Sequence, residues 1–154
     1  MGFGHVQIAD NLPLHTLSPD ELQRLKSLTE QLELTVEVGT RGIAGNNLER
    51  YLELVTFFNS PILRVVVDSD EHHPEPDEVI RTVREVLSNF EKAGVTLAIE
   101  NHDRFEARDL LSIVEALDSP NVGVCLDTVN SFGALEGSRP WAPSSSTCTS
   151  RTSR

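Results

Sequence analysis

Two carboxylates, Glu100 and Asp127, stand at the ends of short, largely apolar runs of the sequence. The first run is Val95 to Ile99, and the second is Val122 to Leu126. Such runs are typical of strands buried on both faces, and a carboxylate at the end of a strand can reach a site without crossing the core. Because one helical connection separates the runs, both side chains could offer hard oxygen ligands to one divalent ion. We therefore predict a metal site at Glu100 and Asp127.

The elements that would position these acids recur along the chain. Strand-like runs begin near residues 5, 34, 63, 95 and 122, which gives one strand and one helix roughly every 30 residues. This alternation predicts an α/β fold with a parallel sheet and helical crossovers.

The helices between these runs have recognisable start and stop signals. Ser18 and Glu21 predict a capping box at the first helix, and Gly94 predicts the end of the third. Asn46 or Asn47 is expected to cap the second helix. The buried stripe predicted for the first helix consists of Leu22, Leu25, Leu28 and Leu32.

Five such units fit either an open doubly wound sheet or part of a (β/α)₈ barrel, which needs about 250 residues in full. The second strand, Leu34 to Val38, is expected to end at Gly39, and the glycine-rich stretch from Gly39 to Gly45 matches no dinucleotide or phosphate motif. Acids in or just after all five strands favour the barrel, whose active site lies at the carboxyl-end rim; these acids are Asp10, Glu37, Asp68, Glu100 and Asp127. We predict an incomplete (β/α) TIM-barrel-type fold of about five strands and four helices over residues 1–137, followed by a disordered polar tail over residues 138–154.

Composition limits the partners. The 154 residues carry a formal net charge of -11, and the first 137 contain 24 acidic against 10 basic side chains. A surface this acidic repels phosphate backbones, which predicts no nucleic-acid partner. No apolar run is long enough to span a bilayer and no leader is recognisable, so we expect no membrane partner. Cys125 in a strand and Cys148 in the tail do not indicate a disulfide, and a reduced, cytoplasmic protein is expected.

The two strand-end motifs also support a family resemblance. Leu97-Ala-Ile-Glu-Asn-His102 and Val124-Cys-Leu-Asp-Thr-Val-Asn130 resemble motifs of the sugar phosphate isomerase/epimerase superfamily, the xylose isomerase-like barrels that include endonuclease IV-type enzymes. The resemblance runs from about Gly2 to Gly137 and covers the second to sixth strands of that barrel. It implies that Glu100 is a metal ligand and an acid/base carboxylate, with Asp127 a second ligand. The family's other two ligands, a histidine and a glutamate from later strands, have no counterpart here.

Three further residues are candidates for binding a substrate. Asn130 stands where the family often has a histidine that contacts the substrate. His102 is either a rim histidine that touches substrate or a surface-loop residue, and Glu37 either points into the barrel mouth or flanks Gly39.

The resemblance implies isomerisation or epimerisation of a sugar or sugar phosphate, with Mn²⁺ or Mg²⁺ as a weakly held cofactor. A carboxylate moves a proton beside the carbonyl, and the cation stabilises the enediolate charge. The alternatives are an endonuclease IV-like hydrolase, against which the acidic surface and few histidines count, and a non-catalytic barrel fragment. Open strand edges predict self-association.

Overall fold

A computed structural model describes residues 4–102 and 104–127. Five parallel strands form one sheet in chain order: β1 (His5–Ile8), β2 (Thr35–Arg41), β3 (Ile62–Val66), β4 (Thr96–Glu100) and β5 (Val122–Cys125). Four helices connect them: α1 (Pro19–Gln31), α2 (Gly45–Phe57), α3 (Pro76–Ala93) and α4 (Ala107–Leu117). A short 3₁₀ helix, Leu14–Thr16, precedes α1. The predicted α/β architecture is confirmed.

The sheet has one face covered by helices and one face without them among the described residues. On the covered face, Val38, Leu63 and Leu97 are fully buried in a continuous core shared with the helices. On the other face, alternate positions of the same strands bear polar and charged side chains, including Gln7 and Arg64. Because side chains alternate along a strand, the parallel register places Gln7 level with Glu37 on this face, and Arg64 level with Gly39 and Ala98.

The helix boundaries confirm two of the signals read from the sequence and correct a third. Ser18 and Glu21 form the predicted capping box, and Gly94 ends α3 in the left-handed conformation at φ 66°. The prediction of an asparagine cap on α2 was wrong, because Ala44 occupies that position and no side chain caps it. Asn47 instead lies inside the first turn and bonds backward to the strand that precedes the helix.

The predicted apolar stripe of α1 was only half right. Leu22 and Leu25 pack against the core, but Leu28 and Leu32 are 51% and 57% exposed, and Thr29 is the buried residue of this helix. The helix follows β1, which forms one edge of the described sheet, so one flank of α1 meets no described element. Leucines on that flank therefore stay in solvent.

Strand β2 is longer than its sequence suggested. Its predicted end was Val38, yet the strand continues through Gly39 to Arg41. A Cβ at position 39 would lie 3.1 Å from the Cβ of Ala9, so the glycine allows close approach of the strands rather than ending one. The residue at the carboxyl end of β2 is thus Arg41, not Glu37.

Within the described residues, none of the helices combines the length and hydropathy needed to cross a bilayer. The proposed boundary at residue 137 and the polar tail lie outside the described residues and stay predictions.

Candidate active site

Arg64 lies at the centre of the uncovered sheet face. It comes from β3, and its guanidinium reaches side chains from both flanks of the sheet. Nε donates to Glu100 at 2.6 Å, and Nη1 donates to Gln7 at 2.7 Å. Nη2 lies 3.5 Å from a carboxylate oxygen of Asp127. One cation thus joins the first strand to the two acids that the sequence had singled out.

A row of small residues leaves room for this long side chain. The positions level with Arg64 on the neighbouring strands are Gly39 and Ala98, and Gly123 follows on β5. None of these residues projects more than a methyl group from the sheet. The guanidinium can therefore extend across the sheet toward its partners.

Glu100 and Asp127 converge because they follow consecutive parallel strands. The Glu100 side chain is 6% exposed and that of Asp127 is 27% exposed. Asn101 fixes the backbone between them: its side-chain amide donates to the Asp127 carbonyl at 3.0 Å, and its oxygen accepts from the Asp127 N–H. These two hydrogen bonds make Asn101 an orienting residue for Asp127.

The charge state of the cluster follows from these contacts. The hydrogen bond to Glu100 is the main cause that raises the pKa of Arg64 above its ordinary value, with Asp127 contributing through space. Arg64 is therefore a permanent cation at physiological pH. Its positive charge offsets the repulsion between two acids that partly leave water.

The donor set fits a hard divalent ion in part. Two carboxylates on one guanidinium offer oxygen ligands to a cation, and Mg²⁺ or Mn²⁺ prefers such ligands. In residues 4–102 and 104–127, however, no three His, Cys, Asp or Glu side chains are grouped to hold a metal. The described chain thus supplies two ligands of about six.

A cavity of about 180 Å³ opens beside the cluster. Its walls combine charged and polar side chains from β1 to β4 and the residues that follow them; among these are Asp10, Arg41, Arg64, Glu100 and His102. The structure therefore brings Glu100 and His102 to one cavity, as expected if both act at the rim.

Glu37 is not brought to this cavity. Glu37 is the third residue of β2, where its carboxylate lies 3.3 Å from Nε2 of His5, and it is absent from the cavity wall. Asn130 lies outside the described residues. The substrate-binding roles of both residues stay predictions, as does that of His102.

Sequence reasoning missed Arg64 and Arg41. The signal for Arg64 was available, because it is the single charge within an otherwise apolar strand, Ile62–Val66. A charged residue at one position of such a strand indicates a face that is not covered by helices. The signal for Arg41 was concealed by the assumption that Gly39 ended β2.

A second ion pair lies in the loops at the carboxyl-end rim. Arg104 donates to both carboxylate oxygens of Asp68, at 3.1 and 2.8 Å, and to the carbonyl of Pro74 at 2.8 Å. Asp68 is 4% exposed. The hydrogen bonds from Arg104 are the main cause that lowers the pKa of Asp68. This pair connects the loop after β3 to the loop after β4.

Comparisons with known proteins agree with this architecture. Over 135 residues the chain is 38% identical to 3-oxo-isoapionate decarboxylase of Pectobacterium atrosepticum, covering 88% of this chain but only 49% of that protein. A D-psicose 3-epimerase crystallised with D-fructose superposes with a TM-score of 0.74 at 17% identity, covering 88% of this chain and 57% of the other. A xylose isomerase-like TIM barrel protein from Mycobacterium smegmatis in complex with magnesium gives 0.67 at 17% identity, with coverages of 80% and 51%.

A family model identifies the family to which the chain belongs. The chain spans about half the length of the curated relative and of both solved structures. The model of the xylose isomerase-like TIM barrel matches residues 1–145, which confirms the resemblance and the incomplete barrel inferred from the sequence. This chain belongs to the xylose isomerase-like TIM barrel family.

Proposed function

We propose that this chain carries part of a divalent-metal-dependent site that moves a proton next to the carbonyl of a sugar or sugar phosphate, as in an isomerase or epimerase. The observation that supports it most is the convergence of Glu100 and Asp127 on one guanidinium from consecutive strands. Buried carboxylates at the carboxyl ends of parallel strands lie where barrels of this type place their chemistry.

Glu100 and Asp127 would hold the ion, and Glu100 would also exchange the proton with the substrate carbon. The ion, when bound, supplies positive charge against the oxyanion that develops as the proton leaves. Arg64 holds both carboxylates in place, and the amide of Asn101 fixes the direction of Asp127. His102, on the cavity wall, would contact a substrate hydroxyl.

A second candidate is decarboxylation of an oxidised sugar acid. The Pectobacterium relative is a decarboxylase and shares 38% identity with this chain. Loss of carbon dioxide next to a carbonyl leaves an enolate, so the same positive charge would stabilise both reactions. The two candidates differ in the bond that breaks, carbon–hydrogen or carbon–carbon.

Calorimetric titration of the chain with Mn²⁺ and with Mg²⁺ tests the metal site. We expect saturable binding by the wild type and its loss in Glu100→Gln and Asp127→Asn, because each variant removes one of the two anionic ligands. Glu85→Gln is the control, since this exposed acid lies on α3 and outside the cavity wall. Absence of binding by a folded wild-type chain would refute the metal site in this chain.

A further inference from the structure

Arg41 is placed to meet a ligand at the wall of the cavity opposite Glu100. It ends β2 on the uncovered face, and its register partner on β3 is Val66, whose own partner on β4 is Glu100. Two strand spacings therefore separate Arg41 from Glu100, a distance of about 10 Å between their backbones. Both side chains line the same cavity.

The backbone that carries Arg41 is held by defined hydrogen bonds. The side-chain amide of Asn47 donates to the carbonyls of Arg41 and Gly42, at 3.2 and 2.8 Å. Gly42 has φ 86°, which favours glycine, and its N–H donates to the Val66 carbonyl at 2.8 Å. The guanidinium thus extends from a fixed turn rather than from a loose loop.

The contact that Arg41 makes with Asp10 can be exchanged for a ligand. Its Nε lies 3.5 Å from a carboxylate oxygen of Asp10, and the two side chains are 30% and 60% exposed. Exposed ion pairs of this kind contribute at most about 1 kcal/mol. A carboxylate or phosphate oxygen of a ligand in the cavity can therefore compete with Asp10.

The net negative charge of the chain makes local cations such as Arg41 necessary for binding an anion. The first 137 residues carry 24 acidic against 10 basic side chains, so an anion is repelled at long range and needs local cations to bind. Two of those cations, Arg41 and Arg64, line one cavity together with the acids Asp10 and Glu100. Arg64 contacts Gln7, Glu100 and Asp127, and Arg41 contributes a second guanidinium to the cavity wall, at the end of β2.

We infer that Arg41 binds the anionic end group of the substrate, a carboxylate or a phosphate, while the reacting carbon lies beside Glu100. This inference rests on the proposed function and specifies its substrate class as a small sugar acid or sugar phosphate. The planar guanidinium fork matches either group in bidentate fashion.

Calorimetric binding of three probes with the same carbon skeleton tests the inference on the full chain. The probes are D-ribose, which is neutral, D-ribonate, which bears a carboxylate, and D-ribose 5-phosphate. We expect at least one anionic probe to bind about tenfold or more tightly than D-ribose, as the loss of one charged hydrogen-bond partner implies. The anion that binds more tightly identifies the end group.

Variants of Arg41 distinguish a specific contact with the anion from an effect of the net charge of the chain. Arg41→Gln should remove the preference for the anion, whereas Arg41→Lys, which keeps the charge without the fork, should retain part of it. Arg81→Gln, an equal change of charge at an exposed position on α3, should leave the preference intact. Circular dichroism of each variant verifies that it is folded.

Three results would overturn the inference: equal binding of neutral and anionic probes, an anion preference that survives Arg41→Gln, or no binding of any probe by the folded chain. Each titration is run with a chelator and with Mn²⁺. An anion preference that depends on Arg41 without any Mn²⁺ binding would refute the metal proposal alone. Mn²⁺ binding without an anion preference would refute the role of Arg41 alone.

Discussion

Two arginine–carboxylate clusters, one centred on Arg64 and one on Arg104, differ in what they connect. The Arg64 cluster joins side chains from three parts of the sheet: Gln7 on β1, Glu100 on β4 and Asp127 just after β5. The Arg104 cluster joins two loops, through both oxygens of Asp68 and the carbonyl of Pro74. The same kind of ion pair thus joins strands across a sheet face in one case and joins two loops in the other.

The difference also separates a candidate site from a structural contact. Asp68 accepts from one guanidinium through both oxygens, which is a geometrically complete pair. Glu100 and Asp127 instead share a single guanidinium, with Asp127 at 3.5 Å, so the two acids are grouped around a cation rather than saturated by it. Acids grouped in this way are suited to a second cation.

Removal of the shared cation should have the largest effect. We expect Arg64→Met to lower the free energy of unfolding by about 2–4 kcal/mol, below the roughly 3–5 kcal/mol of fully buried pairs because Arg64 is 22% exposed. Mn²⁺ should restore more stability to this variant than to the wild type, since an ion would replace the missing positive charge. Urea unfolding with and without Mn²⁺ measures both effects.

The control for this prediction is Arg108→Met. Arg108 is 79% exposed and pairs with Glu106 and Asp109 on the surface, so its loss should change stability by less than about 0.5 kcal/mol. If both variants lower the free energy of unfolding by the same amount, the Arg64 cluster contributes no more to stability than a surface pair does.

The contribution of the Arg104 cluster to folding stability should be visible as the pH is lowered. Arg104 lowers the pKa of Asp68 in the folded chain below the unfolded value of about 3.9. The stability from this pair is therefore fully present above that unfolded value and is lost as the pH falls through the folded pKa. Asp68→Asn should cost about 1–3 kcal/mol at pH 7 and flatten the acid limb of a stability profile measured by urea unfolding from pH 7 to 3.

Asp70→Asn is the matched control for this pH profile, because Asp70 is an exposed acid in the same loop. It should leave both the stability at pH 7 and the acid limb close to those of the wild type. An acid limb equally steep in Asp68→Asn would show that other carboxylates control the acid response.

The smallest effect is expected at the row of small residues that accommodates Arg64. A methyl group at position 39 would lie 3.1 Å from the Cβ of Ala9, so Gly39→Ala should cost about 1 kcal/mol by forcing β1 outward. Gly4→Ala, where nothing lies within 4 Å, should be neutral or slightly stabilising. Thermal unfolding compares the two variants.

Gly39→Ala also distinguishes the two clusters. Its effect should be confined to the sheet, so the acid limb assigned to Asp68 and Arg104 should be unchanged. A flattened acid limb in this variant would mean that the two clusters are coupled.

The sequence predicted the strands and the two central acids because both depend on local patterns. An apolar run followed by a carboxylate identifies a buried strand and its end, and parallel connections bring consecutive ends together. Glu100 and Asp127 were therefore expected to lie near each other, and both contact the guanidinium of Arg64. Their roles as ligands stay predictions.

The remaining features depend on contacts between distant segments. Gly39 suggested a strand end, and only the position of Ala9, directly after β1, explains why the strand needs a glycine there. Leu28 and Leu32 continue an apolar helical pattern, but their exposure depends on which elements flank α1. Arg64 could have been noticed within its strand, whereas its three partners from β1, β4 and the end of β5 required the fold.

The position of Arg64 has a consequence for the order of events during folding. Its partners come from β1, from β4 and from the residues just after β5, so the cluster can form only once the five described strands are in place. At that moment the acids meet a positive charge that the chain itself provides, without waiting for an ion from solution. If Glu100 and Asp127 bind an ion as proposed, its uptake would be a late and reversible event on a folded chain, unlike that of domains whose folding depends on the metal. A chelator would then remove the ion and leave the sheet folded.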